Sequence, residues 1–277
     1  MPVPELPSFD LVVATLGRER ELERFLRSVE RQDYERARVI LVDQNEDERV
    51  GRAIARSDVD VLVLRSERGL SRARNVGLAA VEADVVGFPD DDCELPPGLL
   101  RRVAQRLGAL DGISGRTADT SDRSGGRWAA EPGLIDREGV WHRVNSAALF
   151  LRAPLIREVG GFDERLGLPR SSGEEIDYVL RALAAGARIL YDPTLVVRHE
   201  QPEQLAGIGR RDGASIGYLL RKHRFPPRTL ARMLVRPAGG VAVSLARLDV
   251  ERARFHAATL AGRVAGYRGE SRSKSSA

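Results

Sequence analysis

Three consecutive carboxylates, Asp90, Asp91 and Asp92, follow an apolar run over residues 83–88 that reads as a buried strand. Carboxylates gathered at a strand end repel one another. Something positive must offset them, and a divalent cation with hard oxygen ligands suits the role. The bland alternative is a solvated acidic turn, since turns favour Asp. A second carboxylate, Asp43, ends another apolar run, R-V-I-L-V-D. In open α/β sheets ligands bind at the carboxyl ends of strands. Thr15, Asp43 and Asp90 to Asp92 would then share one rim, where a carboxylate can accept from a base or ribose hydroxyl. Asp43 could equally be a turn cap.

Other residue types could complete a site. Gly69-Leu70-Ser71-Arg72-Ala73-Arg74 opens a helix with two arginines in its first turns, fit to face a diphosphate. Glu174 and Glu175 open a further helix. Ser172 and Glu175 fit a capping box, while a carboxylate there could also act as a general base. His199 follows the apolar run Leu195 to Val197 and can share a divalent ion with carboxylates.

The elements that must position these groups alternate. Strands are expected at 9–14, 38–43, 60–65 and 83–88, and helices at 18–31, 47–56, 71–81 and 96–110. In the first helix Leu22, Phe25, Leu26 and Val29 recur at helical spacing. Such alternation predicts a mainly parallel central sheet with helices on both faces. Residues 111–139, rich in Gly, Ser, Asp and Arg, read as loop, and 140–152 as a strand. A helix is expected over 173–185 and extended segments at 187–191 and 195–199. Beyond residue 204 the pattern turns helical, with breaks at Pro226-Pro227 and at 237–240.

Composition bounds the rest. The chain has 277 residues and one cysteine, Cys93, so no internal disulfide can form. No basic-apolar leader and no apolar run of membrane-spanning length is visible, so the chain is expected to be cytoplasmic. Only Lys222 and Lys274 are lysines among 44 basic residues, a bias of composition rather than a nucleic-acid groove. Residues 205–277 carry fifteen basic and four acidic residues, a net of +11, against −7 for the preceding body. Such a segment suits a peripheral contact with an anionic membrane. Packing on the body or a homodimer interface is the competing use. The expected division is a catalytic body at 1–204, a basic helical extension at 205–267 and a disordered tail at 268–277. No P-loop motif, no G-x-G-x-x-G after the first strand, no H-E-x-x-H and no paired C-x-x-C is present.

Taken in order, V-V-A-T-L-G-R (12–18), V-D-Q-N (42–45), G-L-S-R-A-R-N-V-G (69–77), F-P-D-D-D-C (88–93), G-G-F-D-E-R-L-G (160–167), G-E-E-I-D-Y-V-L-R (173–181) and Y-D-P…H (191–199) resemble the family 2 glycosyltransferases. The resemblance implies the GT-A fold and an inverting transfer of a hexosyl or deoxyhexosyl group from a nucleotide-diphospho-sugar. It implies a glycan or lipid-linked acceptor, in cell-surface polysaccharide or glycolipid synthesis. Thr15, Arg18, Asp43, Arg74, Asp90 and Asp91 would meet the nucleotide sugar. Asp92, with His199, would hold Mg²⁺ or Mn²⁺. Glu175 stands where the family's G-E-D-x-D segment carries its base, a Glu for Asp change that leaves Glu174 in contention. The other reading is an inactive nucleotide-sugar-binding or scaffold protein of a polysaccharide complex.

Overall fold

The computed structural model describes residues 6–122, 128–167, 172–199 and 206–269. The chain divides into two compact units. The first runs through Glu164 and resumes at Tyr178. The second takes Arg165–Asp177 and the chain beyond residue 201.

The first unit begins with the expected alternation: β1 (Phe9–Thr15), α1 (Arg20–Glu30), β2 (Ala37–Asp43), α2 (Arg49–Ile54), β3 (Val61–Arg65), α3 (Leu70–Leu78) and β4 (Val85–Gly87). β5 (Cys93–Glu94) and α4 (Leu99–Leu107) follow the aspartates. Then come β6 (Gly112–Ala118), β7 (Gly133–Leu134), a short α5 (Val140–Arg143), β8 (Leu149–Arg152) and α6 (Ala153–Val159). α7 (Glu174–Ala184) crosses the division between units, and β9 (Ile189–His199) ends the sheet.

The strand order is β3-β2-β1-β4-β8-β6-β9-β5, with β7 also paired to β9. β3, β2, β1 and β4 are mutually parallel, as are β6 and β9. β8 runs antiparallel to both neighbours, and β5 and β7 are antiparallel to β9. The sheet is therefore parallel in its first half and mixed beyond. β1 and β2 are buried along nearly their whole length, as continuous apolar runs require in a sheet covered on both faces. α1 buries Leu22, Phe25, Leu26 and Val29 on one stripe.

In the first unit three expectations need correction. The 111–139 segment is not all loop, since β6 lies within it, buried at nearly every position. Its composition reflects close approach: a Cβ on Gly115 would stand 2.1 Å from the Leu195 carbonyl oxygen. The 140–152 segment is strand only at β8, preceded by α5 and a 3-10 turn at Ser146–Ala148. The two extended segments at 187–199 form one strand, β9, that continues through Pro193.

Aromatic packing supports the acidic loop from below. Phe88 meets Phe162 edge to face at 5.2 Å, and Phe162 tilts against Tyr178 at 4.5 Å. Each such buried ring contributes about 1.5–3 kcal/mol by burial alone. The Tyr178 hydroxyl donates to the Gly160 carbonyl at 2.8 Å, so the buried phenol is satisfied.

The second unit contains α8 (Ala206–Lys222), α9 (Pro227–Ala246) and α10 (Val250–Arg268). α9 runs unbroken through Pro237 and Gly239-Gly240, against the expected break. Pro226 does precede a helix start, with Pro227 in the first turn, where its missing N–H costs nothing. The expected tail at 268–277 begins with Arg268, which ends α10, and residues 270–277 lie outside the described residues. Among the described residues no helix is long and apolar enough to cross a membrane.

Candidate active site

The parallel register sets Thr15 opposite Asp43 at the carboxyl ends of β1 and β2. β4 runs parallel to β1 but ends sooner, with Gly87 opposite Leu11, and the chain continuing past it brings the aspartates to the same edge, where Thr15 bonds Asp91. The rim expected from sequence therefore exists.

Asp43 is almost wholly buried. One of its oxygens accepts from the main-chain N–H and the side-chain amide of Asn45, both at 2.8 Å. The other lies 2.8 Å from an Arg65 nitrogen. Asn45 in turn accepts from the Gly17 N–H at 2.6 Å, which ties the Thr15–Arg18 loop to the end of β2. Gln44 accepts from the Gly69 N–H at 2.7 Å and anchors the entry to α3. Sequence reasoning passed over Asn45, Gln44 and Arg65. The signal was there in V-D-Q-N, whose amides are suited to hold neighbouring loops.

The aspartates are held by cations of the chain itself. An Arg18 nitrogen lies 2.6 Å from Asp91 and 2.7 Å from Asp92. Arg74, only 1% exposed, donates to Asp90 at 3.0 Å and stacks 5.6 Å from the Phe162 ring centre. A guanidinium so deeply buried is tolerable only with such a partner. Arg74 thus fixes Asp90 from beneath, while Arg72 turns to Glu67 and Glu164. Burial raises the Asp91 pKa to about 6 despite Arg18 and a hydrogen bond from Thr15.

His199 completes the cluster. β5 and β9 pair Cys93 with His199, and this register puts His199 Nε2 3.2 Å from one Asp92 oxygen and 4.0 Å from an Asp90 oxygen. Burial alone would raise the Asp92 pKa and lower that of His199. Their mutual hydrogen bond and charge reverse both, so Asp92 is held low and His199 high. Ligand atoms of Asp90, Asp92, Cys93 and His199 lie within 4.8 Å of one another.

The donor set fits a hard or borderline divalent ion. Two carboxylates and an imidazole suit Mg²⁺ or Mn²⁺. Cys93 fits least, because burial beside three carboxylates raises its thiol pKa well above the ordinary value, and only the thiolate is a good ligand. Asp90, expected by resemblance to meet the nucleotide sugar, sits in the same cluster as Asp92.

Glu174 and Glu175 open α7 and belong to the second unit. Glu174 is buried and Glu175 partly so. The Ser172 hydroxyl, expected to cap α7, donates to Asp212 at 3.0 Å. One turn on, Asp177 meets Lys222 at 2.5 Å and His223 at 2.8 Å.

Comparisons with known proteins bear on the family and the fold. The chain is 32% identical over 197 residues to a pre-mycofactocin glycosyltransferase of Mycobacterium tuberculosis, a match covering 61% of this chain and 38% of that protein. It is 22% identical over 208 residues to glycosyltransferase AglE of Haloferax volcanii, covering 70% of this chain and 67% of the relative. Among solved structures, the mannosyltransferase PcManGT of Pyrobaculum calidifontis, in complex with GDP-Man and Mn²⁺, superposes with a TM-score of 0.68 at 16% identity, covering 97% of this chain and 89% of that one. S. aureus TarS gives 0.62 at 17% identity, covering 89% and 54%. The fold is the GT-A fold, with helices appended at the C-terminus. The model of glycosyl transferase family 2 matches residues 10–156, more than half of the chain, which places the aspartate cluster and its arginines inside the matched region. The chain belongs to glycosyl transferase family 2.

Proposed function

We propose that this chain transfers a hexosyl or deoxyhexosyl group from a nucleotide-diphospho-sugar to an acceptor hydroxyl, with inversion at the anomeric carbon. The observation that carries this reading is the Asp90, Asp92 and His199 cluster at the carboxyl rim of parallel strands, with Arg18 and Arg74 beside it. Carboxylates, imidazole and guanidinium groups of this kind suit a metal-bound diphosphate. The GDP-Man and Mn²⁺ held by a mannosyltransferase of the same fold support the donor class.

Asp92 and His199, with Asp90, would hold Mg²⁺ or Mn²⁺, and the bound ion would supply positive charge to the departing diphosphate. Asp43 with Asn45 and Gln44 shapes the rim where a nucleoside would lie. Arg18 is half-exposed and can exchange part of its pairing with Asp91 for a phosphate oxygen. Glu175 removes the proton of the acceptor hydroxyl as that oxygen attacks the anomeric carbon, and the bond from that carbon to the diphosphate breaks. The support for Glu175 is its place in the G-E-E-I-D segment at the first turn of α7. The acceptor is a glycan or a lipid-linked glycan of cell-surface synthesis, and the basic C-terminal helices bring the enzyme to the anionic surface where such a lipid lies.

Incubation of the pure protein with a panel of nucleotide sugars, Mn²⁺ and acceptors tests this. Release of nucleoside diphosphate that requires acceptor and metal is the expected result, with an inverted anomeric signal in the product by NMR. Donor binding without any turnover on every acceptor class would favour the scaffold reading.

A further inference from the structure

The turn between α9 and α10 carries an unusual residue. Asp249 N–H donates to the Ser244 carbonyl at 2.9 Å and Leu248 N–H to the Leu245 carbonyl at 3.0 Å. This is the hydrogen-bond pattern of a Schellman helix end, whose left-handed position normally falls to glycine. Here Leu248 occupies it, with φ of +58°. A branched side chain in that region costs conformational free energy. Its side chain is also 88% exposed, so nothing within the chain repays that cost by packing. Val243, Leu245 and Val250 around it are more than half exposed as well. An apolar tip of this kind is a mark of contact with something outside the chain.

Charge says what that something is. α9 contains no acidic residue. Beside the tip, Arg247, Arg252 and Arg254 are exposed and none has a carboxylate partner among the described residues, against a single further acid there, Glu251. In the first unit, by contrast, Arg18, Arg38, Arg52, Arg74 and Arg101 each sit on a carboxylate. Asp249, at the tip, spends its carboxylate on the α10 N-terminus, accepting from Arg252 N–H at 2.9 Å. An apolar apex flanked by unpaired guanidinium groups matches the layering of a bilayer interface, acyl chains below and phosphates above.

We propose that the α9–α10 turn is a membrane anchor. Leu245, Leu248 and Val250 enter the acyl boundary of an anionic phospholipid surface, while the flanking arginines hold headgroup phosphates. Insertion is shallow, since no described helix can span a bilayer. This deepens the surface contact proposed above and is independent of the sugar transfer.

Leu248→Gly separates docking from folding, because glycine relieves the positive φ while removing the apolar side chain. The full chain should float with phosphatidylcholine vesicles containing phosphatidylglycerol, float less at high salt, and stay down with phosphatidylcholine alone. Leu248→Gly should melt at the same temperature or higher and bind the anionic vesicles about tenfold more weakly. In Leu248→Trp the introduced indole should shift its emission to the blue on anionic vesicles and be quenched by acyl-brominated lipid, beyond the signal of wild type. Equal flotation of wild type and Leu248→Gly, or no flotation of wild type, overturns the proposal. So does self-association in sedimentation that Leu248→Gly abolishes without any vesicle binding, which would make the tip a contact between copies. Nucleoside diphosphate release with a soluble acceptor and no lipid reports on the transferase reading alone, so failure of one leaves the other standing.

Discussion

The Arg263 guanidinium donates to the main-chain carbonyl of Met233, four residues before Pro237. In an unbroken helix that carbonyl accepts from the N–H of residue 237, which proline lacks. A side chain of α10 thus supplies the hydrogen bond that the α9 proline removes. Burial and the charge of Arg236 lower the Arg263 pKa to about 10, still protonated at neutral pH. This is how α9 continues through a residue that normally ends a helix.

The pairing predicts an energetic coupling. Arg263→Ala should destabilise the protein by about 2 kcal/mol, the scale of a hydrogen bond from a charged group. In a Pro237→Ala background the main chain makes its own bond, and the same substitution should cost distinctly less. Urea denaturation of the four proteins measures the difference. Purely additive effects would show that Arg263 stabilises the helices by some other contact.

Removing one ligand should disable the metal site without unfolding it. Asp92→Asn keeps the shape and a hydrogen-bond acceptor for His199 but loses the charge. Calorimetry with Mn²⁺ and a nucleoside diphosphate should show the metal-dependent part of binding largely gone. Cys93→Ala should leave that part in place, since a buried protonated thiol is a poor ligand for a hard cation. Undiminished Mn²⁺-dependent affinity in Asp92→Asn would remove Asp92 from the ligand set.

The two glutamates of α7 separate by kinetics. Glu175→Gln should lower kcat by roughly 10²–10⁴-fold with little change in donor affinity, the usual cost of a lost general base. Glu174 is buried, so Glu174→Gln should act first on stability. A thermal melt beside the turnover assay distinguishes them. Normal turnover in Glu175→Gln with a lowered melting temperature would make that residue a helix cap, and loss of turnover in Glu174→Gln would move the base by one position.

What was legible in the sequence follows from the range of the forces involved. β1, β2, α1 and the aspartate turn announce themselves through apolar runs, helical spacing and a local charge cluster, all within a few residues. β6 was hidden because G-I-S-G-R-T-A is small and polar for a reason that lies elsewhere in the chain. A Cβ on Gly112 would meet Leu151 and the Phe150 carbonyl, as one on Gly115 would meet that of Leu195. The helix through Pro237 was hidden because Arg263, which sustains it, is in another helix. In the site, Asp90 to Asp92 and Arg18 were visible as charges. Two features came only from tertiary pairing: the burial of Arg74 beneath Asp90, and the register that sets His199 against Cys93.

Acid stability should depend on a carboxylate far from the chemistry. Asp10, within β1, is almost wholly buried and holds Arg38 through two bonds of 2.9 and 3.0 Å. It also accepts from the Glu82 and Ala83 N–H groups at 2.8 and 3.1 Å. Burial acts to raise its pKa, but the Arg38 pairing and the two main-chain donors outweigh it, and the folded value lies below the ordinary one. A carboxyl with a depressed folded pKa stabilises the protein fully above its unfolded pKa, near 3.9, and loses that contribution as pH falls through the folded value. Asp10→Ala should therefore cost about 3 kcal/mol at pH 7, the scale for stripping one partner from a buried pair. That is a fall in melting temperature of roughly 6–12 °C for a chain of this size. Below about pH 4 the unfolded chain takes up a proton that folded Asp10 resists until its lower pKa is reached, so the gap between the two proteins should narrow as the pH falls. Melting curves of both proteins from pH 7 to pH 3 decide the matter. A gap of constant size across that range would mean that Asp10 acts through shape and neutral hydrogen bonds rather than through its charge.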